Sequence, residues 1–136
     1  MTQAALFSQS FSIDIFCRVI DNFGDAGVLW RLARDFTNHG HQVRLIIDDV
    51  KTLAALAPEL KGDHFSQKTS RGIQVVLWES AWDKADCPLE PAQIVIEGFA
   101  CQIPRDYEYK MSQMENPPVW INLDYMSAEN WIDEFN

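Results

Sequence analysis

Apolar positions along the chain change period block by block, and each block predicts an element. Ser12–Ile20 (SIDIFCRVI) is dense in β-branched and aromatic residues and predicts a strand. Asp21–Gly24 (DNFG) has turn composition. From Ala26 to Asn38, Leu29, Leu32, Ala33 and Phe36 recur at helical spacing, with Arg31, Arg34 and Asp35 on the other face. Gly40 suits the helix end, because glycine tolerates left-handed dihedrals. Gln42–Ile47 (QVRLII) then predicts a second strand and completes a β-α-β unit.

The alternation continues. Lys51–Ala57 predicts a short helix ended by Pro58, and the polar stretch Leu60–Arg71 predicts a loop. Strands are predicted at Ile73–Trp78, Gln93–Glu97 and Val119–Leu123. Ser80–Pro91 reads as a connection with a helical turn, Arg105–Met114 as a helix, and Ser127–Phe135 as a further helix. Apolar strands separated by helices define the fold class: α/β, with a Rossmann-like, mostly parallel sheet covered by helices on both faces. No internal repeat or low-complexity segment interrupts it.

Composition narrows the function. The 136 residues make one domain, 47% hydrophobic and 23% charged. Eleven Lys and Arg stand against twenty Asp and Glu, a net charge of −9. That balance disfavours nucleic acid, whose binding rests on cationic contacts to phosphate, and attracts a basic partner. There is no apolar run of the ~18 residues that read as a membrane span, and no basic-then-apolar leader for export. Cys17, Cys87 and Cys101 are odd in number and form no CxxC pair, so a disulfide framework or zinc knuckle is not indicated and a reducing cytoplasm fits best.

In parallel sheets ligands sit at the carboxyl ends of the strands. Asp21–Gly27, Glu97–Cys101 and Asp124–Glu129 should reach that edge. The first of these, Asp21-Asn22-Phe23-Gly24-Asp25-Ala26-Gly27, stands where dinucleotide folds carry a phosphate loop. It lacks the GxGxxG pattern, and its two carboxylates would repel a pyrophosphate. The loop suits a cation or a group that gives up a proton. Asp25 is open to two roles: a helix cap, or one of a carboxylate pair in which one member orients a substrate and the other accepts its proton. Asp21 can equally close its own turn.

Glu97 ends a strand as a cleft contact or a solvent-facing acid, and Gly98 beside it permits close backbone approach. Tyr125 can stack in a cleft or pack as a partly buried tyrosine. Ser127 is most simply a helix N-cap, with Glu129 in the first turn. His39 and His41 have no third ligand nearby, and His64 carries no signal. Cys17 and Cys101 read as small core hydrophobes, Trp30, Trp78 and Trp120 as core, and Trp82 as an exposed loop contact.

The stretch Asp14–Val28 (DIFCRVIDNFGDAGV), continuing through Trp30-Arg31-Leu32-Ala33-Arg34, resembles the opening of the EarP family, the protein-arginine rhamnosyltransferases that modify elongation factor P. Glu97–Cys101 (EGFAC) and Asn122–Trp131 (NLDYMSAENW) extend the likeness from about Ile13 to Trp131. The resemblance implies the N-terminal half of a GT-B glycosyltransferase that moves L-rhamnose, with inversion, from dTDP-β-L-rhamnose onto an arginine of elongation factor P. It implies no metal and no cofactor. It maps the family's essential aspartates onto Asp21 and Asp25. Substrate binding then falls to Asn22, Phe23, Gly24 and Gly27 of the same loop, with Glu97, Tyr125, Ser127 and Glu129. The nucleotide sugar is expected mainly in a C-terminal domain absent from this chain, so 1–136 reads as a truncated acceptor-side domain with little turnover alone. From the residues alone, a non-catalytic Rossmann-like module that holds a basic protein is the alternative. A flavodoxin-like nucleotide regulator is disfavoured by the carboxylates of the first turn.

Overall fold

A computed structural model describes residues 9–19, 23–61, 64–83 and 86–124. The elements follow as β1 (Ser12–Cys17), α1 (Phe23–Asn38), β2 (Gln42–Ile47), a 3-10 turn (Val50–Ala55), β3 (Ser66–Lys68), β4 (Gln74–Leu77), a 3-10 turn (Ser80–Asp83), β5 (Ile94–Gly98), α2 (Arg105–Ser112) and β6 (Val119–Leu123). The sheet order is β3-β4-β2-β1-β5-β6, and every pairing is parallel except β3 with β4. The Rossmann-like expectation of a mostly parallel sheet therefore holds.

The two-residue period of a strand sorts its side chains onto two cores. Ile13, Ile15 and Cys17 of β1 face Ala26, Leu29, Trp30 and Ala33 of α1. Phe16 points the other way, into a second core with Trp78, Trp82, Tyr107 and Met111. Helices thus cover both faces, as the apolar strands require. Phe16 packs edge-on against both Trp78 and Tyr107, with ring centroids 5.3 and 4.7 Å apart.

One carboxylate is buried inside this second layer. Asp14, fully enclosed in the central strand, accepts two hydrogen bonds from Arg44 of β2 (Nε to Oδ1 and Nη2 to Oδ2, both 2.6 Å) and one from the Tyr107 hydroxyl at 2.5 Å. Arg44 also donates to the Glu90 carbonyl at 2.7 Å, and the Tyr107 oxygen accepts the Ala92 N–H at 3.2 Å. Burial opposes the Arg44 charge, but the hydrogen bonds and charge of Asp14 outweigh it and raise its pKa. Burial, followed by the Asp14 charge, pushes the Tyr107 hydroxyl far above its ordinary value, so it stays a donor.

The structure corrects several sequence expectations. α1 starts at Phe23, three residues early, so Gly24 and Asp25 belong to its first turn and not to a loop. The polar stretch after Leu60 contains β3, a short antiparallel edge strand whose alternation is too polar and brief to read. Trp82 is buried, because the turn Ser80–Asp83 folds its ring edge-on against Phe65. Trp120 is 45% exposed, because among the described residues β6 is an edge strand paired only with β5. Trp30, Trp78, Cys17 and Cys101 are buried as expected, and Cys87 is buried as well. The predicted helix Ser127–Phe135 lies outside the described residues. Among the described residues, no helix is long and apolar enough to cross a membrane.

Gly98 ends β5 beneath α1. A Cβ there would stand 2.5 Å from Leu29 Cδ1 and 2.8 Å from the Phe16 carbonyl oxygen, so Gly98→Ala should cost about 1–3 kcal/mol. Arg44→Met would leave Asp14 buried against Tyr107 alone and should cost about 3 kcal/mol. Urea unfolding midpoints of the two variants check both values.

Candidate active site at the carboxyl edge

The strand ends that follow β1, β4 and β5 open on a cleft of about 700 Å³. Arg18 and Asp25 form one side, Asp83 and Arg105 line it further round, and the backbone of 99–104 forms the wall after β5. The exit of β1 is fixed by the Val19 N–H, which donates to Asp48 Oδ1 at 2.7 Å. Arg18 leaves the same strand end and lies over the Trp78 ring, its guanidinium carbon 4.2 Å from the centroid. Its Nη2 donates to both oxygens of Asp83 at 3.1 and 3.2 Å, and Trp78 Nε1 donates to Asp83 Oδ1 at 3.3 Å. The Asp83 charge is therefore already matched from within the chain.

Asp25 differs. It is the third residue of α1, and its Oδ1 is shut off from solvent with no hydrogen-bond partner among the described residues. It does not cap the helix through that oxygen. A helix N-terminus favours the carboxylate, yet burial dominates and raises the Asp25 pKa from its ordinary value. A buried acceptor without a donor is unfavourable in the free protein, and a donor entering the cleft would relieve it.

The opposite wall is strained backbone. Phe99, Ala100 and Gln102 have φ of 51°, 55° and 57°, a left-handed region that costs non-glycine residues about 1–2 kcal/mol each. Three hydrogen bonds hold it. The Phe99 N–H donates to the Leu123 carbonyl at 2.6 Å, the Cys101 N–H to the Gly98 carbonyl at 3.2 Å, and the Gln102 N–H to Glu97 Oε2 at 2.9 Å. Burial pushes the Cys101 thiol up to about 12, with the Glu97 charge adding to it. Burial does the same to Cys17, which also feels Cys101, Asp48 and Asp25. Neither is a thiolate nucleophile at neutral pH.

The structure thus brings Asp25 and Glu97 to one edge of the sheet, as the sequence reading expects. Glu97 is only 8% exposed and its carboxylate turns back onto its own loop. Gly24 is exposed in the first turn of α1, and a Cβ on Gly27 would meet nothing within 4 Å, so packing does not demand glycine there. Phe23 is the first residue of α1. Asp21, Asn22, Tyr125, Ser127 and Glu129 lie outside the described residues. Sequence reasoning missed Arg18, Asp83 and Arg105. Arg18 and Asp83 pair across 65 residues, and no local pattern announces such a contact.

His39 and His41 are absorbed locally: His39 Nδ1 lies 2.7 Å from the Asp35 carbonyl oxygen, and His41 Nδ1 accepts the Phe11 N–H at 3.1 Å. Among the described residues, no three His, Cys, Asp or Glu side chains group as ligands for one metal ion.

Comparison with known proteins agrees with the motif. The chain is 43% identical over 121 residues to the protein-arginine rhamnosyltransferase of Pseudomonas putida, covering 88% of this chain and 31% of that protein. It is 41% identical over 122 residues to the Pseudomonas aeruginosa protein of the same name, and 44% identical over 117 residues to that of Neisseria meningitidis serogroup B. These cover 89% and 85% of this chain, and 31% and 29% of the relatives. The chain therefore spans less than a third of the length of the curated relatives it matches. The family model described as Elongation-Factor P (EF-P) rhamnosyltransferase EarP matches residues 13–136, and with a match over nearly the whole chain this protein belongs to the EarP family.

Proposed function

We propose that this chain is the acceptor-side, Rossmann-like N-terminal half of a GT-B protein-arginine rhamnosyltransferase. It presents Asp25 to an arginine side chain of elongation factor P. The observation that carries this reading is the solvent-excluded, unpartnered Oδ1 of Asp25 in a cleft at the carboxyl edge. An arginine guanidinium offers five N–H donors in a planar fork, the group such an oxygen lacks. Among the described residues, the other carboxylate that lines the cleft, Asp83, is already paired with Arg18.

The chemistry follows from the acceptor. Arginine is always protonated, with a pKa above about 12, and in that form is a poor nucleophile. A carboxylate cannot strip it beforehand, so proton loss must accompany attack. Asp25 holds the guanidinium and takes one proton from the reacting nitrogen as that nitrogen's electron pair forms the bond to the sugar's anomeric carbon. The bond from that carbon to the dTDP oxygen breaks on the opposite face, the pair leaves with the diphosphate, and the configuration inverts. Burial raises the Asp25 pKa and so strengthens it as the base. Asp21 orients the pair or stabilises charge building on the sugar.

The donor, dTDP-β-L-rhamnose, binds mainly in the part of the relatives that this chain does not span. The chain by itself then gives little turnover. The reaction so written uses no cofactor and no metal, and belongs in the cytoplasm, where the translation factor is found. The net charge of −9 favours encounter with a basic surface.

In a full-length enzyme containing this chain, Asp25→Asn and Asp25→Ala should each lower kcat for transfer by about 10²–10⁴, with acceptor affinity changed only a few-fold. Mass spectrometry of the acceptor and a binding titration measure the two quantities. Loss of affinity with kcat kept would move Asp25 from chemistry to capture. A second outcome concerns stability. The native state holds the Asp25 proton more tightly than the unfolded chain, so stability falls as pH rises through the carboxylate range. Asp25→Asn should therefore raise Tm at pH 7, and the gain should vanish below about pH 3, where both states of the parent are protonated. Thermal unfolding across that range checks it.

A further inference from the structure

We infer that Glu97 is a positioning residue: it tethers the turn Phe99–Gln102 that walls the acceptor cleft, and does not itself meet the substrate. The inference rests on the proposed acceptor role of that cleft. Four observations carry it. Glu97 is buried at the end of β5, paired with Phe16 of β1 and Asn122 of β6. Its Oε2 accepts the Gln102 N–H across the turn at 2.9 Å. Three non-glycine residues of that turn hold positive φ, a conformation that persists only where surroundings over-determine it. The same turn lines the cleft that Asp25 lines.

Gly98 explains why the tether is needed. Wedged under Leu29 and against the Phe16 carbonyl, the backbone must leave β5 without a side chain and turn at once. The turn therefore begins at a fixed point, and the Glu97 carboxylate closes it five residues on. A substrate-binding carboxylate would need its oxygens toward the cleft. Here the oxygen that is bonded serves the backbone, and the negative charge falls beside the Cys101 thiol.

Reach and charge can be separated by two conservative variants in the full-length enzyme containing this chain. Glu97→Gln keeps the reach of an acceptor oxygen and loses the charge. Glu97→Asp keeps the charge and is one methylene too short. The tether predicts that Glu97→Gln holds the acceptor KM within about twofold, while Glu97→Asp raises it about tenfold with kcat nearly unchanged. Amide exchange of Gln102 should speed up in Glu97→Asp and stay slow in Glu97→Gln, with the Ile94–Ile96 amides protected in both as the control for folding. The reverse order, with Glu97→Gln impaired and Glu97→Asp active, would overturn the inference and make Glu97 a direct contact for the acceptor's charge. Fast Gln102 exchange with an unchanged acceptor KM would overturn it too, by separating the turn from the acceptor site. If the unmutated full-length enzyme transfers no rhamnose, the proposed function fails instead, and the Gln102 exchange still reports the tether.

Discussion

A charge buried in the central strand organises this fold. Asp14 sits in β1, an interior strand of the sheet, and a carboxylate there is tolerable only if its oxygens are fully engaged. Arg44 engages both from the adjacent strand, and Tyr107 adds a third bond from α2. The demand for partners therefore sets the register of β1 against β2 and the seat of α2 on the second face. It also reaches beyond the regular elements, since Arg44 and Tyr107 bind the backbone at Glu90 and Ala92. An all-apolar face could slide or repack, whereas a slip here would take Arg44 and Tyr107 away from the buried Asp14 carboxylate.

The carboxyl edge follows the opposite rule. Asp14, Arg44 and Tyr107 match one another, while among the described residues Asp25 keeps a buried oxygen unmatched and the turn after β5 keeps three residues in a costly backbone region. Departures of this kind persist at a site when the surrounding structure holds them in place. Here the support is local and nameable: Val19 on Asp48, Arg18 between Trp78 and Asp83, Gln102 on Glu97.

Much of the scaffold was legible from periodicity. β2 and β6 fall where the apolar runs stand, and α1 follows the spacing of Leu29, Leu32, Ala33 and Phe36. Gly98 declared itself as a point of close approach. The misses have physical causes. β3 is held by pairing with β4 and not by an apolar face, so it left no pattern. Trp82 was hidden by a turn that composition marks only as connection, and Trp120 sits on an edge strand whose burial depends on neighbours. The carboxylate motif was expected at the carboxyl edge of the sheet, and Asp25 lies there. What it did not convey is that Asp25 lies inside the helix with one oxygen stranded, because that depends on the path of chain segments far apart in sequence.

The three thiols have a practical consequence. Each is buried, and burial holds each thiol above its ordinary pKa, so the folded protein offers a modifying reagent almost no thiolate. They also report on different regions: Cys17 on the central strand beneath α1, Cys87 on the segment packed against α2, and Cys101 on the turn that walls the cleft. Alkylation of each would be timed by the opening of its own surroundings. The chain thus carries three native clocks, which can tell loosening of the cleft wall from unfolding of the whole without any added probe.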